Sequence, residues 1–264
     1  MTPSPVEIAA ADGCILRGQL WPAASDWVIL LHDVGSDEDL DRWRPLISSL
    51  LAESLSVLAV DLRGHGASDG EWRADEAVDD VTALVRFTRT RGARFVVVVV
   101  AGASALSALW ALERGSVDGT VLLSATQVGV AGGMEEESTS AKASPPPTFG
   151  EGPGVGAIPA PLPRGPGIPK LFIVGAHDRE AHETTGRLRA ASIGWALVVT
   201  LPTDEHGTAL LEGTWLGHIS EHILGFVRER RYLARQDASE VGAPVGAADR
   251  FLAQLGVMRK GDGK

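Results

Sequence analysis

One cysteine, Cys14, in 264 residues leaves no intrachain disulfide to form, and nothing in the chain calls for an oxidising compartment. Basic residues are also short: 24 Lys and Arg against 34 Asp and Glu give a formal net charge of −10. Binding a phosphate backbone is largely neutralisation by Lys and Arg, so this balance argues against a nucleic-acid partner. Met1 to Ala11 lacks the basic segment and apolar stretch of a secretory leader, and the chain reads as cytoplasmic. Long apolar runs are scarce as well. Phe95 to Leu112 is 18 residues without a charge, close to bilayer length, but it divides. Phe95 to Val100 is β-branched and suits a strand, Ala105 to Leu112 is Ala/Leu-rich and suits a helix, and Gly102 lies between them. No membrane span is expected.

What remains is ordinary globular composition, 44% hydrophobic and 22% charged, enough to bury one sizeable core. Val6–Ala10 and Cys14–Trp21 flank Asp12-Gly13 and read as a β-hairpin. Continuous rather than alternating apolar runs at Trp27–Leu31, Leu55–Val60 and Phe95–Val100 predict strands buried on both faces. Further strands are expected at Thr120–Leu123, Leu171–Val174 and Trp195–Leu201. Helical spacing marks Leu40–Leu51, Asp75–Thr90, the segment after Ser104, Ala181–Ala191 and Thr208–Arg230. Strands alternating with helices predict an α/β fold: a mostly parallel central sheet, helices on both faces and an antiparallel N-terminal hairpin. Gly132 to Pro169 holds nine of the 15 prolines and no sustained apolar period, so it reads as a flexible insertion. The expected organisation is one domain over residues 5–232, carrying that insertion at 132–169, with a peripheral tail at 233–264 that contains one weak helix, Ala248–Leu255.

Serine is a weak nucleophile at neutral pH and needs an exposed turn beside a histidine base. Gly102-Ala-Ser104, between a strand and a helix, offers such a turn; a helix-capping serine is the plainer reading of the same residues. Asp178 follows the Leu171–Val174 strand, and His206 follows the next one. The order Ser, Asp, His, each just beyond its own strand, is that of an α/β-hydrolase triad. His218-Ile-Ser-Glu221-His222 matches a zinc-peptidase spacing but lacks its context, and His177, Asp178, His182 and Glu183 fit no common zinc site. No nucleotide motif is present either, so no cofactor is expected.

With these residues in view, the chain over roughly 5–232 resembles the α/β-hydrolase superfamily, within it small bacterial proteins similar to dienelactone hydrolases and carboxylesterases. Leu30-Leu-His32-Asp33-Val34-Gly35 with Trp43 looks like the family's H-G-x-G loop, and Asp61-Leu-Arg-Gly-His-Gly-Ala-Ser-Asp69 like its D-x-R-G-x-G-x-S segment. The resemblance implies Ser104 as nucleophile, His206 as general base, Asp178 as its orienting partner, and the amides of Val34 and Ala105 as oxyanion hole. It implies a small ester or lactone as substrate and an acyl-enzyme intermediate. Two residues depart from the family. Leu106 stands where a glycine lets helix and strand approach, and Asp33 replaces the glycine after the histidine, placing a carboxylate beside the oxyanion hole. These departures define the alternative, a catalytically degenerate scaffold that binds a small ligand or protein partner.

Overall fold

The computed structural model describes residues 2–35, 37–112, 117–126 and 167–241, with side chains to 236. One sheet of eight strands runs in the order β1-β2-β4-β3-β5-β6-β7-β8. The strands are β1 (Ser4–Ala9), β2 (Ile15–Trp21), β3 (Asp26–Leu31), β4 (Ser56–Val60), β5 (Phe95–Ala101), β6 (Gly119–Leu123), β7 (Lys170–Gly175) and β8 (Ala196–Leu201). β1 and β2 form the expected hairpin, with Ser4 opposite Leu20 and Ala9 opposite Ile15, and β2 joins β4 antiparallel. From β4 onward all neighbours are parallel. The sheet is therefore mostly parallel, as the alternation of strand and helix predicts.

The Val-rich strands have no solvated face. Val96 to Val100 are wholly buried, each worth about 1.5–3 kcal/mol relative to exposure. Alternate residues feed opposite layers. Ile29, Leu31, Val98 and Val100 pack with Leu84 of α2 (Ala74–Thr90) and Leu106 and Leu109 of α3 (Ser104–Leu112). Val28, Leu30, Val97 and Val99 pack with Leu46 and Leu50 of α1 (Arg44–Ala52), and with Ile223 and Phe226 of the C-terminal helix, Leu216–Val241. Helix α4 (Arg179–Ala191) adds Leu188 to the first layer, and the C-terminal helix is α5.

Some boundaries differ from those read in the sequence. Leu40–Leu51 is not one helix but a 3-10 turn, Leu40–Trp43, followed by α1. Asp39 caps the turn, accepting from the Asp41 amide at 2.8 Å, and Pro45 in the first turn of α1 has no amide hydrogen to continue the turn's ladder. Thr208–Arg230 likewise splits into a 3-10 turn, Gly207–Leu211, and α5. Helix α5 runs through residue 232, so the boundary expected there falls inside a helix. Of the Pro-rich stretch only 167–169 is described, and Ala248–Leu255 lies outside the described residues.

The parallel strands end along one edge, where their connecting loops meet. Asp61 and Arg63 hold the loop after β4. Asp61 accepts from the amides of Leu40 and Ala67, both at 2.8 Å. Arg63 is buried, donates to both oxygens of buried Asp80 at 2.7 Å, and also reaches Asp12 at 2.9 Å and Glu76.

Candidate active site

His206 lies beyond β8, just ahead of the Gly207–Leu211 turn, and Asp178 lies beyond β7 as the N-cap of α4. The structure brings these two together. One oxygen of Asp178 caps α4 through the Ala181 amide at 3.3 Å, and the other lies 2.6 Å from His206 Nδ1. Helix capping thus fixes the carboxylate, and the carboxylate fixes the imidazole.

Ser104 does not join them. The chain turns sharply at Gly102, whose φ of +55° is open to glycine at little cost, and Ser104 is already the first residue of α3. Its side chain is buried, with only 2% of the residue exposed. Its hydroxyl lies 2.8 Å from the carbonyls of both His32 and Ala101, so its single proton is taken up by backbone acceptors. The strand-to-helix turn therefore sits two residues earlier than the G-x-S pattern suggests, with Gly102 at its apex. Leu106 thus lies within the first turn of α3, past the turn's apex, and packs from that helix into the core.

The place beside His206 belongs to Asp33. His206 Nε2 lies 3.2 Å from Asp33 Oδ2. Asp33 Oδ1 accepts from its own neighbour's amide, Val34, at 2.6 Å and from the Ala103 amide at 2.8 Å. Of the expected amide pair, Val34 donates to Asp33 Oδ1, whereas the Ala105 amide turns back to the Gly102 carbonyl at 3.3 Å; the second amide on Asp33 Oδ1 is that of Ala103. The start of α3 adds its dipole to this anion cradle. Two glycines make room for the carboxylate: a Cβ on Gly102 would land on it, and one on Gly207 would come within 2.6 Å of Oδ2.

The charges are mutually supporting. The Asp33 hydrogen bond raises the His206 pKa most; burial opposes it, the Asp178 hydrogen bond adds to it, and the result is about 9. Burial alone would raise Asp33, but the hydrogen bonds from His206, Ala103 and Val34 outweigh it and hold the carboxyl below its ordinary range. His206, held as imidazolium at neutral pH, thus faces the Asp33 carboxylate through Nε2 and keeps Nδ1 on Asp178. The sequence presents Asp33 as a charge opposing an oxyanion; the structure shows that it points into the cradle and is neutralised by His206. His32 is separate from this chemistry. Burial pushes its pKa down to about 4, and it accepts from the Leu62 amide at 3.0 Å.

Access comes from the histidine side, where the His206 side chain is 40% exposed and that of Asp33 is 12% exposed. Among the described residues no three His, Cys, Asp or Glu side chains gather as a metal site, and no helix is long and apolar enough to cross a membrane.

The sheet order, the turn after β5 and the Asp178–His206 pair after β7 and β8 decide the architecture. The chain has the α/β-hydrolase fold. A family model described as serine aminopeptidase, S33, matches residues 23–143 of this α/β-hydrolase-fold protein. An esterase of Pyrococcus furiosus superposes with a TM-score of 0.64 at 20% identity, covering 86% of this chain and 90% of its own. Est1E of Butyrivibrio proteoclasticus, solved with ferulic acid bound, gives 0.64 at 17% identity and covers 86% and 99%. A putative aryl esterase of Burkholderia cenocepacia gives 0.64 at 15% and covers 87% and 100%. No curated protein matches the chain.

Proposed function

We propose that this α/β-hydrolase-fold protein is a hydrolase whose reactive centre is Asp33–His206–Asp178, with the amides of Val34 and Ala103 as its oxyanion cradle. The S33 family match and the likeness to esterases support the class of hydrolase. A single observation carries the choice of centre: Asp33 takes up both cradle amides with one oxygen and faces His206 Nε2 with the other. The Ser104 acyl-enzyme expected from the sequence has less support. That mechanism needs a hydroxyl within reach of His206 and an empty cradle for the ester carbonyl, and Ser104 supplies neither. The same filled cradle favours a second reading, a scaffold that binds a ligand or partner without turnover.

A fluorophosphonate probe and a panel of short activated esters, thioesters and lactones test the proposal. The wild type is expected to carry no probe on Ser104, and Ser104→Ala is expected to leave any turnover unchanged. Loss of one hydroxyl bonded to two carbonyls should cost about 1 kcal/mol of stability. A phosphonylated Ser104, or ester turnover abolished by Ser104→Ala with the fold intact, would return the centre to the serine triad.

A further inference from the structure

We infer that two copies of this chain join β8 to β8 as an antiparallel pair about a twofold axis, extending their sheets into one. The observation behind this is a contrast between the two edges of the sheet. A terminal strand presents a row of amides and carbonyls ready to pair, and monomeric proteins blunt such strands with proline or charge. β1 is blunted, since it carries Pro5 and an exposed Glu7. β8 is not. Its strand neighbour among the described residues is β7 alone, and Trp195-Ala-Leu-Val-Val-Thr-Leu201 holds neither charge nor proline. Three of the five exposed large hydrophobic side chains among the described residues, Ile193, Trp195 and Leu197, lie along it, each 40% exposed or more.

The backbone sets the register. The Lys170 amide donates to the Trp195 carbonyl at 3.0 Å and the Ala176 amide to the Leu201 carbonyl at 2.7 Å, so residues 195, 197, 199 and 201 turn their polar groups toward β7. With a period of two, those of Ala196, Val198 and Thr200 turn outward. Antiparallel pairing centred on Val198 sets that residue against its own copy and Ala196 against Thr200, which uses every one of these outward amides and carbonyls. Leu197 then lies opposite Val199 of the other copy, on the face shared with α5, and its exposed side chain is covered.

The flanking charge selects a second copy as the occupant. Helix α4 packs beside β8, and the twofold lays it antiparallel to its own copy. Its first turns carry exposed Glu180 and Glu183, the latter held by Arg179 at 3.0 Å, and its last turns carry exposed Arg187 and Arg189 with no acid. Each acidic start therefore meets the basic end of the other copy. The uncharged strand at the centre adds no repulsion to a chain of net charge −10. The two candidate active sites point to opposite edges of the joined sheet, so the pairing does not rest on the centre proposed above.

Sedimentation equilibrium of the full chain at micromolar concentration should give twice the mass of one chain. Leu197→Lys buries an ammonium at the pair and should give the mass of one chain with an unchanged thermal melt, because Leu197 is 45% exposed in a single copy. Val198→Cys, made together with Cys14→Ser, sets two thiols across the axis with their Cα atoms about 5.5 Å apart. That lies inside the disulfide range of about 4.4–6.8 Å, so oxidation should link the copies, whereas Ser4→Cys on the blunted edge should stay unlinked. A dimer that persists in Leu197→Lys and is not linked by Val198→Cys would put the contact elsewhere and overturn the inference. A full chain of single mass would overturn it too. Hydrogen exchange at Ala196, Val198 and Thr200 would then assign the edge, slow exchange to the chain's own residues 242–264 and fast exchange to solvent.

Discussion

A double variant, Gly102→Ser with Asp33→Gly, is expected to gain serine-dependent ester hydrolysis that the wild type lacks. The sharp turn after β5 has its apex at residue 102, so a serine there points its hydroxyl into the space Asp33 now fills. Removing the carboxylate empties the Val34 and Ala103 amides and leaves His206 Nε2 free to accept the hydroxyl proton. Asp178 remains to orient the ring. With the Asp33 charge gone, His206 loses the main support of its raised pKa and moves toward the range of a working base. Neither single change should suffice. Gly102→Ser alone collides with the carboxylate, and Asp33→Gly alone has no nucleophile. A serine at positive φ costs on the order of 1–3 kcal/mol, which the wholly buried sheet around it should tolerate. With p-nitrophenyl acetate, the double variant should exceed either single variant by on the order of 10²-fold, the effect expected of an emptied oxyanion hole. Fluorophosphonate should label the hydroxyl introduced by Gly102→Ser. A double variant that folds but is no faster than Asp33→Gly would mean that residue 102 is not the apex of the site.

The largest loss of stability is expected far from this chemistry, at Arg63. Its guanidinium is buried and grips both oxygens of Asp80, which is equally buried. Arg63→Ala leaves the Asp80 carboxylate buried without its cation, a cost of about 3–5 kcal/mol. For a domain of this size each kcal/mol lowers Tm by roughly 2–4 °C, so a fall of about 10 °C is expected in a thermal melt. The double variant Arg63→Ala with Asp80→Ala should recover part of the loss, because no unpaired charge then remains. Equal melting of wild type and Arg63→Ala would show that the cluster with Asp12 and Glu76 is a solvated face rather than a staple.

The middle of the sheet was legible because strands β3 to β7 are buried on both faces and so read as unbroken apolar runs, Trp27–Leu31 and Phe95–Val100 most plainly. The helices were legible where their period was clean, as at Asp75–Thr90, and misread where a turn interrupts them. Pro45 marks such a break after Leu40, and Gly213 marks another between the two halves of Thr208–Arg230. Asp178 and His206 could be singled out because each follows a strand. Ser104 could be misplaced because G-x-S does not say which residue is the apex, and both readings put a strand before it and a helix after. The usable signal was Gly102 itself, since a left-handed apex is open to glycine at no steric cost. The role of Asp33 was beyond sequence reasoning of this kind. It depends on three loops, at 33, 102 and 206, closing on one point, and only their meeting turns an apparent liability into an ion pair.

The titration of His206 tests that meeting most directly. Followed by NMR of its ring, His206 should titrate near pH 9 in the wild type. The value should be unchanged in Ser104→Ala and clearly lower in Asp33→Asn, because the Asp33 hydrogen bond is the main cause of the shift. The sign extends to stability: a pKa raised above the unfolded value of about 6.5 stabilises the fold fully below that pH and ceases to as pH rises through about 9. A wild-type His206 that titrates near 6.5, or a shift that follows Ser104 and ignores Asp33, would contradict the account.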